Sequence, residues 1–341
     1  MCGFAKCLSI RDFSYVFILN QHMLMNININ VIIDHQSTNP SNQRRFKATE
    51  SLLEILWQQY NQMSAYRSSS TMSNYATAIR ALSKFLKRDL PASELSANLL
   101  GGFERWLQRR NICLNTISCY MRSLRSLFAG INGDTKKMFA KVYTGSAKTE
   151  KRSIPPEAIS RIKTLQLPSN SFLELARDVF IFCFYAMGMP FVDVAHLRKQ
   201  QIVNGHIVYY RHKTGQRVQI TIEQPMLDII QRHSDKTKAG YVFPLLQNGT
   251  SHEYNVILGR YNRALHRLAR LASISQNLTS YVVRHSWASA AYNANIELPV
   301  ISKALGHTNT QITLTYIREI NDQRVETANH TVITMIEKGS R

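Results

Sequence analysis

The sequence predicts a mainly α protein of two domains, a helical bundle followed by a mostly helical second domain with a small β-hairpin. Three observations lead there. Apolar residues recur at helical spacing through most of the chain beyond residue 50. Segments 206–212 and 217–222 are rich in strand formers and flank Lys213-Thr214-Gly215-Gln216, a turn containing glycine. A polar, lysine-rich stretch ending at Pro155-Pro156 separates the two helical halves. A chain of 341 residues is long enough for two domains and a sizeable core.

Residues 1–45 form an N-terminal extension unlike the rest. Positions 26–33 alternate polar and apolar and fit a strand, and 37–43 are loop material. Met23 and Met25 are alternative starts, and no function is assigned to this stretch. Residues 46–130 read as a bundle of about four helices. Leu52, Leu53, Ile55, Leu56 and Tyr60 make the first apolar stripe. The cap Ser68-Ser69-Ser70-Thr71 precedes a second, with Tyr75, Ile79, Leu82, Phe85 and Leu86. Pro91 and the pair Gly101-Gly102 punctuate, and Phe103, Trp106 and Leu107 belong to a third helix. A fourth spans about 114–128, with Ile117, Met121, Leu124, Leu127 and Phe128 inward and Arg122 and Arg125 outward. Residues 131–154 read as a basic linker, and 155–341 as the second domain. Beyond the hairpin its helical patterns fall at 225–233, 254–271, 281–293, 298–305 and 311–317, with a last one at 325–336.

Charge narrows the function. Lys and Arg number 42 against 22 Asp and Glu, a net charge of +20. Such a surplus opposes folding through self-repulsion and calls for a polyanion, nucleic acid first. Arg109, Arg122, Arg125 and Lys148 are the candidate backbone-contacting cations. A membrane is the competing anionic surface, but no apolar run is long enough to span one. The apolar stretch 13–19 lacks a small-residue cleavage site, so no signal peptide is expected. Five scattered cysteines without a C-x-x-C pair suit a reducing cytoplasm and argue against structural zinc.

No phosphate-cradling glycine loop, H-E-x-x-H or metal-holding carboxylate cluster is found, so no cofactor or metal is expected. What remains is a constellation suited to metal-free phosphodiester transfer. Arg284 can fork onto non-bridging phosphate oxygens, and His307 can donate to the same oxygens. Lys213, in the hairpin turn, can protonate a leaving 5′ oxygen. Tyr316 can attack phosphorus and conserve the bond energy as a phosphotyrosine. His285 reads as a structural hydrogen-bonding neighbour of Arg284. Asp193 reads as a support for its helix turn or an orienter of an arginine.

These residues carry a resemblance. Val283-Arg284-His285-Ser286-Trp287-Ala288, then Leu305-Gly306-His307, then Thr313-Leu314-Thr315-Tyr316 resemble the C-terminal signature of the tyrosine recombinases, the phage-type integrase family. The stretch 185–197 resembles the turn that carries the family's first arginine, and 211–215 its catalytic-lysine hairpin. The resemblance is specific over 155–320 and loose over 50–150. Two positions depart from the pattern. Gly188-Met189-Pro190 stands where the family has Gly-[Leu/Met]-Arg, and Tyr281 stands where it has a His or Lys. Both departures resemble integrases and invertases of Bacteroidetes-type mobile elements. Arg198, Arg211 and Arg217 are open candidates for the missing cation, and Tyr281 for a phosphate contact.

The resemblance implies a core-binding bundle and a catalytic domain clamping duplex DNA. It also implies a 3′-phosphotyrosine intermediate and a homotetramer exchanging strands through a Holliday junction. DNA-bending or directionality proteins are conceivable accessories. The segment 325–336 would dock on a neighbouring subunit. The alternatives are a DNA-binding relative that lost activity with its arginine, and a monomeric nicking-closing enzyme of the type IB topoisomerase kind.

Overall fold

A computed structural model of the chain describes residues 49–129, 135–147, 152–237 and 240–317, with 329–330 and 333–334. Lys148, the extension 1–45 and nearly all of 325–336 lie outside the described residues. The chain divides into two compact units, residues 1–148 and 149–341.

The first unit is built from α1 (Leu52–Met63), α2 (Ser69–Leu86), α3 (Ala97–Arg109), α4 (Leu114–Ala129) and the single turn α5 (Thr135–Met138). Ser51, Ser68 and Ser96 cap the first three helices, each side chain accepting from the backbone N–H three residues on. The apolar stripes meet in one core containing Leu56, Ile79, Leu82, Phe103, Met121 and Leu124. Gly101 and Gly102 lie inside α3 and do not interrupt it. The burial of Leu100, Phe103 and Leu107 outweighs the propensity cost of about 1 kcal/mol per glycine. A Cβ on Gly102 would touch the Phe85 ring at 3.4 Å, so the bare backbone lets α2 approach closely.

Residues 135–147, within the stretch that composition marks as linker, pack on this bundle. Phe139 and Val142 join its core. Asn115 exchanges two hydrogen bonds with Ala147, and Ser118 donates to the Gly145 carbonyl at 2.6 Å. Basic composition did not distinguish a tether from a polar strap.

The second unit is organised around α7 (Phe172–Tyr185), apolar nearly all round and therefore buried. Packed against it are α6 (Pro156–Lys163), α8 (Phe191–Ala195), α9 (Gln224–His233), α10 (Ser251–Leu271) and α11 (Val282–Asn293). A three-stranded antiparallel sheet, β1 (Ile202–Val203), β2 (His206–Tyr210) and β3 (Arg217–Thr221), lies among them in the order β1-β2-β3. Its register pairs Ile207 with Ile220 and Tyr209 with Val218, which places all four on the core face. The strand β1 has no strong sequence signal, being two residues long. The helices α12 (Leu298–Ala304) and α13 (Thr310–Leu314) complete the unit, and Tyr316 lies in the turn just after α13. Among the described residues, no helix is long and apolar enough to cross a membrane.

Candidate active site

Five separate segments of the second unit converge on one point. Arg284, in the first turn of α11, is 2% exposed. Its Nη1 donates to the Gly188 carbonyl at 3.0 Å, and its Nη2 donates to the Leu305 carbonyl. Nη2 also lies 3.1 Å from His307 Nε2. Its Nε has no hydrogen-bond partner among the described residues. The guanidinium is thus held by two turns, 186–190 and 305–307, each passing through a glycine of positive φ. Gly188 has φ +68°, and a Cβ there would press on the Arg284 backbone at 3.1 Å. Gly306 has φ +63°, and a Cβ would strike Arg211 Cδ at 2.7 Å.

Where the family places its first arginine the chain has Pro190, which fixes the backbone entering α8 and carries no charge. A second buried arginine lies beside Arg284. Arg211 leaves the end of β2, is 8% exposed, and donates through Nη1 to the carbonyls of Leu305 (2.8 Å) and Gly306 (3.2 Å). Both arginines therefore close on the Leu305 carbonyl. The other two candidates are engaged elsewhere. Arg198 lies over the Tyr241 ring, 3.7 Å from its centroid, and bonds that hydroxyl at 2.9 Å. Arg217 is exposed and donates to Gln219 at 3.0 Å.

Asp193, buried on α8, lies 3.5 Å from Arg211 Nε and accepts the His212 backbone N–H at 2.9 Å. One carboxylate thus faces the arginine and anchors the turn carrying Lys213. Lys213 itself is exposed, and its charge is felt at His307. Among the described residues the pocket holds two buried guanidinium groups against a single carboxylate, an excess of positive charge. Burial and the neighbouring Arg211 both lower the pKa of Arg284.

His307 accepts from Arg284 at Nε2, so Nδ1 carries the proton and donates to Thr313 Oγ1 at 2.9 Å. Thr313 is fully buried and holds the ring through this bond, while the donating Arg284 sets the tautomer. Burial, then the charges of Arg284, Arg211 and Lys213, push the imidazole down to about 4, so it is neutral at physiological pH. In this geometry both ring nitrogens are engaged within the protein. A direct donation to phosphate, as expected from sequence, requires that Nε2 first gain a proton.

Tyr316, 8% exposed, is walled by aromatic and cationic groups. His285 stacks on it with centroids 4.6 Å apart, His307 lies at 5.0 Å, and Arg284 Cζ is 5.7 Å from the ring centroid. His285, read from sequence as a structural hydrogen-bonding neighbour of Arg284, is a wall of the tyrosine's slot. Ser289 Oγ donates to the Tyr316 carbonyl at 3.3 Å. The Tyr316 hydroxyl hydrogen-bonds that of Tyr281, the residue before α11. Burial and this bond push the Tyr281 phenol up to about 12.

On the first unit Arg109, Arg122 and Arg125 are all exposed. Sequence reading passed over a neighbouring cleft lined by Arg80, Lys84 and Arg110, where the Arg110 guanidinium lies 4.5 Å from the Trp106 ring centroid. Cations on α2 and at the C-terminal end of α3, far apart in sequence, line this cleft only once the bundle has formed.

Comparison with known proteins agrees with the geometry. Residues 159–323 match the phage integrase family, and residues 51–130 match the phage integrase SAM-like domain. The tyrosine recombinase XerC of Rickettsia canadensis (strain McKiel) is 21% identical over 278 residues, covering 77% of this chain and 90% of the relative. Among solved structures, a lambda integrase dimer bound to a COC′ core site has a TM-score of 0.62 at 14% identity, covering 80% of this chain and 98% of the other. The Tn1549 transposon integrase in complex with transposon right-end DNA has a TM-score of 0.60 at 13% identity, covering 83% and 100%. A lambda integrase tetramer bound to a Holliday junction gives 0.61 at 13%, covering 87% of each chain. The chain belongs to the phage integrase family, the tyrosine-type site-specific DNA recombinases.

Proposed function

We propose that the second unit cleaves and rejoins DNA strands through Tyr316 without metal or nucleotide, in integration, excision or inversion. The observation that carries this is the pocket itself. Among the described residues, two buried guanidinium groups outnumber their one carboxylate directly beside a buried tyrosine hydroxyl. Buried charge without a counter-ion is costly, so the pocket favours an anion, and a phosphodiester supplies one.

In this reading Arg284 and Arg211 hold the non-bridging oxygens of the scissile phosphate. Tyr316 Oη attacks phosphorus as its proton is lost to the medium, the P–O5′ bond breaks, and Lys213 gives a proton to the leaving 5′ oxygen. The product is a 3′-phosphotyrosine and a 5′-hydroxyl, and the hydroxyl of a partner strand reverses the step. The phosphate offsets the cations that depress His307, so the imidazole gains a proton and donates through Nε2. Asp193 positions Arg211 and the Lys213 turn, and His285 holds the Tyr316 ring. Arg211 supplies what Pro190 removes, which weighs against a relative that binds DNA without cutting it.

Duplex DNA carrying specific sites is the proposed partner, in the bacterial cytoplasm and nucleoid. Arg109, Arg122, Arg125 and Lys148 contact its backbone, so binding weakens steeply with salt. The lambda integrase tetramer on a Holliday junction is the precedent for a homotetramer, with bending or directionality proteins as accessories.

Covalent trapping tests the reading. Wild type and Tyr316→Phe are incubated without metal with duplexes selected for binding from the DNA flanking the gene. A denaturation-resistant adduct with wild type only is expected. An equal adduct with the Phe variant would mean another nucleophile, and binding without any adduct would mean a non-catalytic DNA-binding protein.

A further inference from the structure

Two imidazoles beside the hairpin turn have no task in the reaction. His196, the residue after α8, and His212, in the turn that carries Lys213, lie ring to ring with centroids 5.2 Å apart at an angle of 73°. The His196 ring is committed on one side. Its Nδ1 donates to the Val192 carbonyl at 2.9 Å, so the lone pair of the neutral imidazole sits on Nε2. A backbone carbonyl on the far nitrogen is the arrangement that orients metal-binding imidazoles. The Tyr254 ring, 5.6 Å away, packs beside it. His212 is exposed, and it is its backbone N–H that bonds Asp193, which leaves the ring free to turn.

The spacing suits a shared cation. With metal–nitrogen bonds of about 2.0–2.1 Å, a tetrahedral angle and a ring centroid about 1.2 Å behind each nitrogen, two ligating imidazoles stand roughly 5.2 Å apart. The observed separation therefore asks for rotation of the exposed His212 ring and no approach of α8 to the turn. Imidazole nitrogen suits zinc, copper and nickel, whereas magnesium and calcium take oxygen. Among the described residues no third His, Cys, Asp or Glu completes a metal-holding group, so water fills the remaining positions. Such a site binds more weakly and reversibly than a structural zinc site with four protein ligands. The Asp193 carboxylate, bonded to the His212 backbone, offsets part of the repulsion from Arg211 and Lys213.

We propose that His196 and His212 bind a divalent transition-metal ion of the zinc class, and that this ion inhibits strand cleavage. The inhibition rests on the reading of Lys213 as the acid of the Tyr316 reaction. A bridging ion ties the 211–216 turn to the end of α8. Without it the turn is held by its own hydrogen bonds, Thr214 and Gly215 donating to the Arg211 carbonyl, and by Asp193. Lys213, exposed in that turn, must follow the 5′ oxygen as it leaves, and an anchor one residue away restricts its reach. The ion forms no bond to the reacting atoms and takes no part in the chemistry. Chelation frees the turn again.

The test uses the full chain with Zn²⁺ as the probe and Mg²⁺ as the control. Calorimetric titration counts the ions bound by wild type, His196→Gln and His212→Gln; the second change, at an exposed position, keeps the comparison free of packing loss. Single-turnover adduct formation on a nicked suicide duplex is then followed without zinc, with zinc, and after chelation. Wild type is expected to bind one more zinc ion than either variant, and Mg²⁺ should not take its place. Without zinc the three proteins should form adduct within about twofold of one another. Zinc should slow wild type by about tenfold or more, since a positioned acid contributes about 10²–10⁴-fold, and should leave the variants within about twofold of their zinc-free rates. Equal zinc stoichiometry in all three proteins overturns the site. A lost ion with undiminished inhibition in the variants overturns the regulatory role. Absence of adduct from zinc-free wild type overturns the Tyr316 reading and the inhibition with it, while the titration still decides the ion site.

Discussion

Arg211→Gln separates the two ways of reading the missing arginine. In the structure the Arg211 guanidinium reaches the Leu305 and Gly306 carbonyls at 2.8 and 3.2 Å, while Arg198 and Arg217 are committed to Tyr241 and Gln219. Losing one charged donor from a transition-state site costs about 10²–10³ in rate, or roughly 3–4 kcal/mol. The same change strips Asp193 of its cation and leaves a buried carboxylate with the His212 N–H, a stability cost of about 1–3 kcal/mol. Folding and chemistry are therefore measured side by side. Melting temperature reports the first, and single-turnover cleavage at saturating protein reports the second. Arg211→Gln combined with Asp193→Asn should recover stability without recovering rate. Arg217→Gln, a surface change, should cleave within about threefold of wild type, and Arg198→Gln, which loses its contacts with the buried Tyr241, should lower stability more than the cleavage rate of the folded protein. A stable Arg211→Gln protein that cleaves at the wild-type rate would refute the assignment.

Two further outcomes follow from neighbouring atoms. Gly306→Ala forces a Cβ to within 2.7 Å of Arg211 Cδ at φ +63°. It should cost about 1–2 kcal/mol in backbone strain, read as a lower melting temperature, and should slow cleavage more than it weakens DNA binding. His307 should make the free protein acid-sensitive. Its folded pKa, about 4, lies below the unfolded value near 6.5, so the unfolded chain binds the extra proton between them. Stability is complete above about pH 6.5 and falls as pH drops toward 4. Melting curves across that window should show a shallower loss in His307→Gln, and equal slopes would refute a depressed imidazole.

Arg284, His307 and Tyr316 were legible in the sequence because short local connections, the α11 start, the 305–307 turn and α13, join them at fixed spacing. Arg211 was visible as one candidate cation, but its place beside Arg284 was not. Its partner carbonyl is 94 residues away, and no local pattern reports such a pairing. Thr313 sat within the quoted motif as one more helix residue. Its role depends on which nitrogen of His307 carries a proton, which spacing does not encode. Tyr281 was read against the phosphate because its place in the pattern pointed there, and the hydroxyl it touches appears only in three dimensions. The helical bundle was read from periodicity. The glycine pair inside α3 and the strap at 135–147 were not, since packing overrode local composition in both.

The Leu305 carbonyl, shared by both guanidinium groups, bears on how such a site tolerates change. It is a main-chain oxygen, so no substitution at position 305 can delete it. A cation that finds this acceptor is aimed correctly whatever segment of the chain delivers it. The address of the charge lies in the turn, and the arginine that answers is free to arrive from a strand as readily as from a helix. If Arg211 is the cation of the proposed reaction, a lineage can relocate that charge without rebuilding the cavity. The same freedom offers a route to engineering: a guanidinium delivered from yet another neighbouring element should restore the site, provided it reaches that one oxygen.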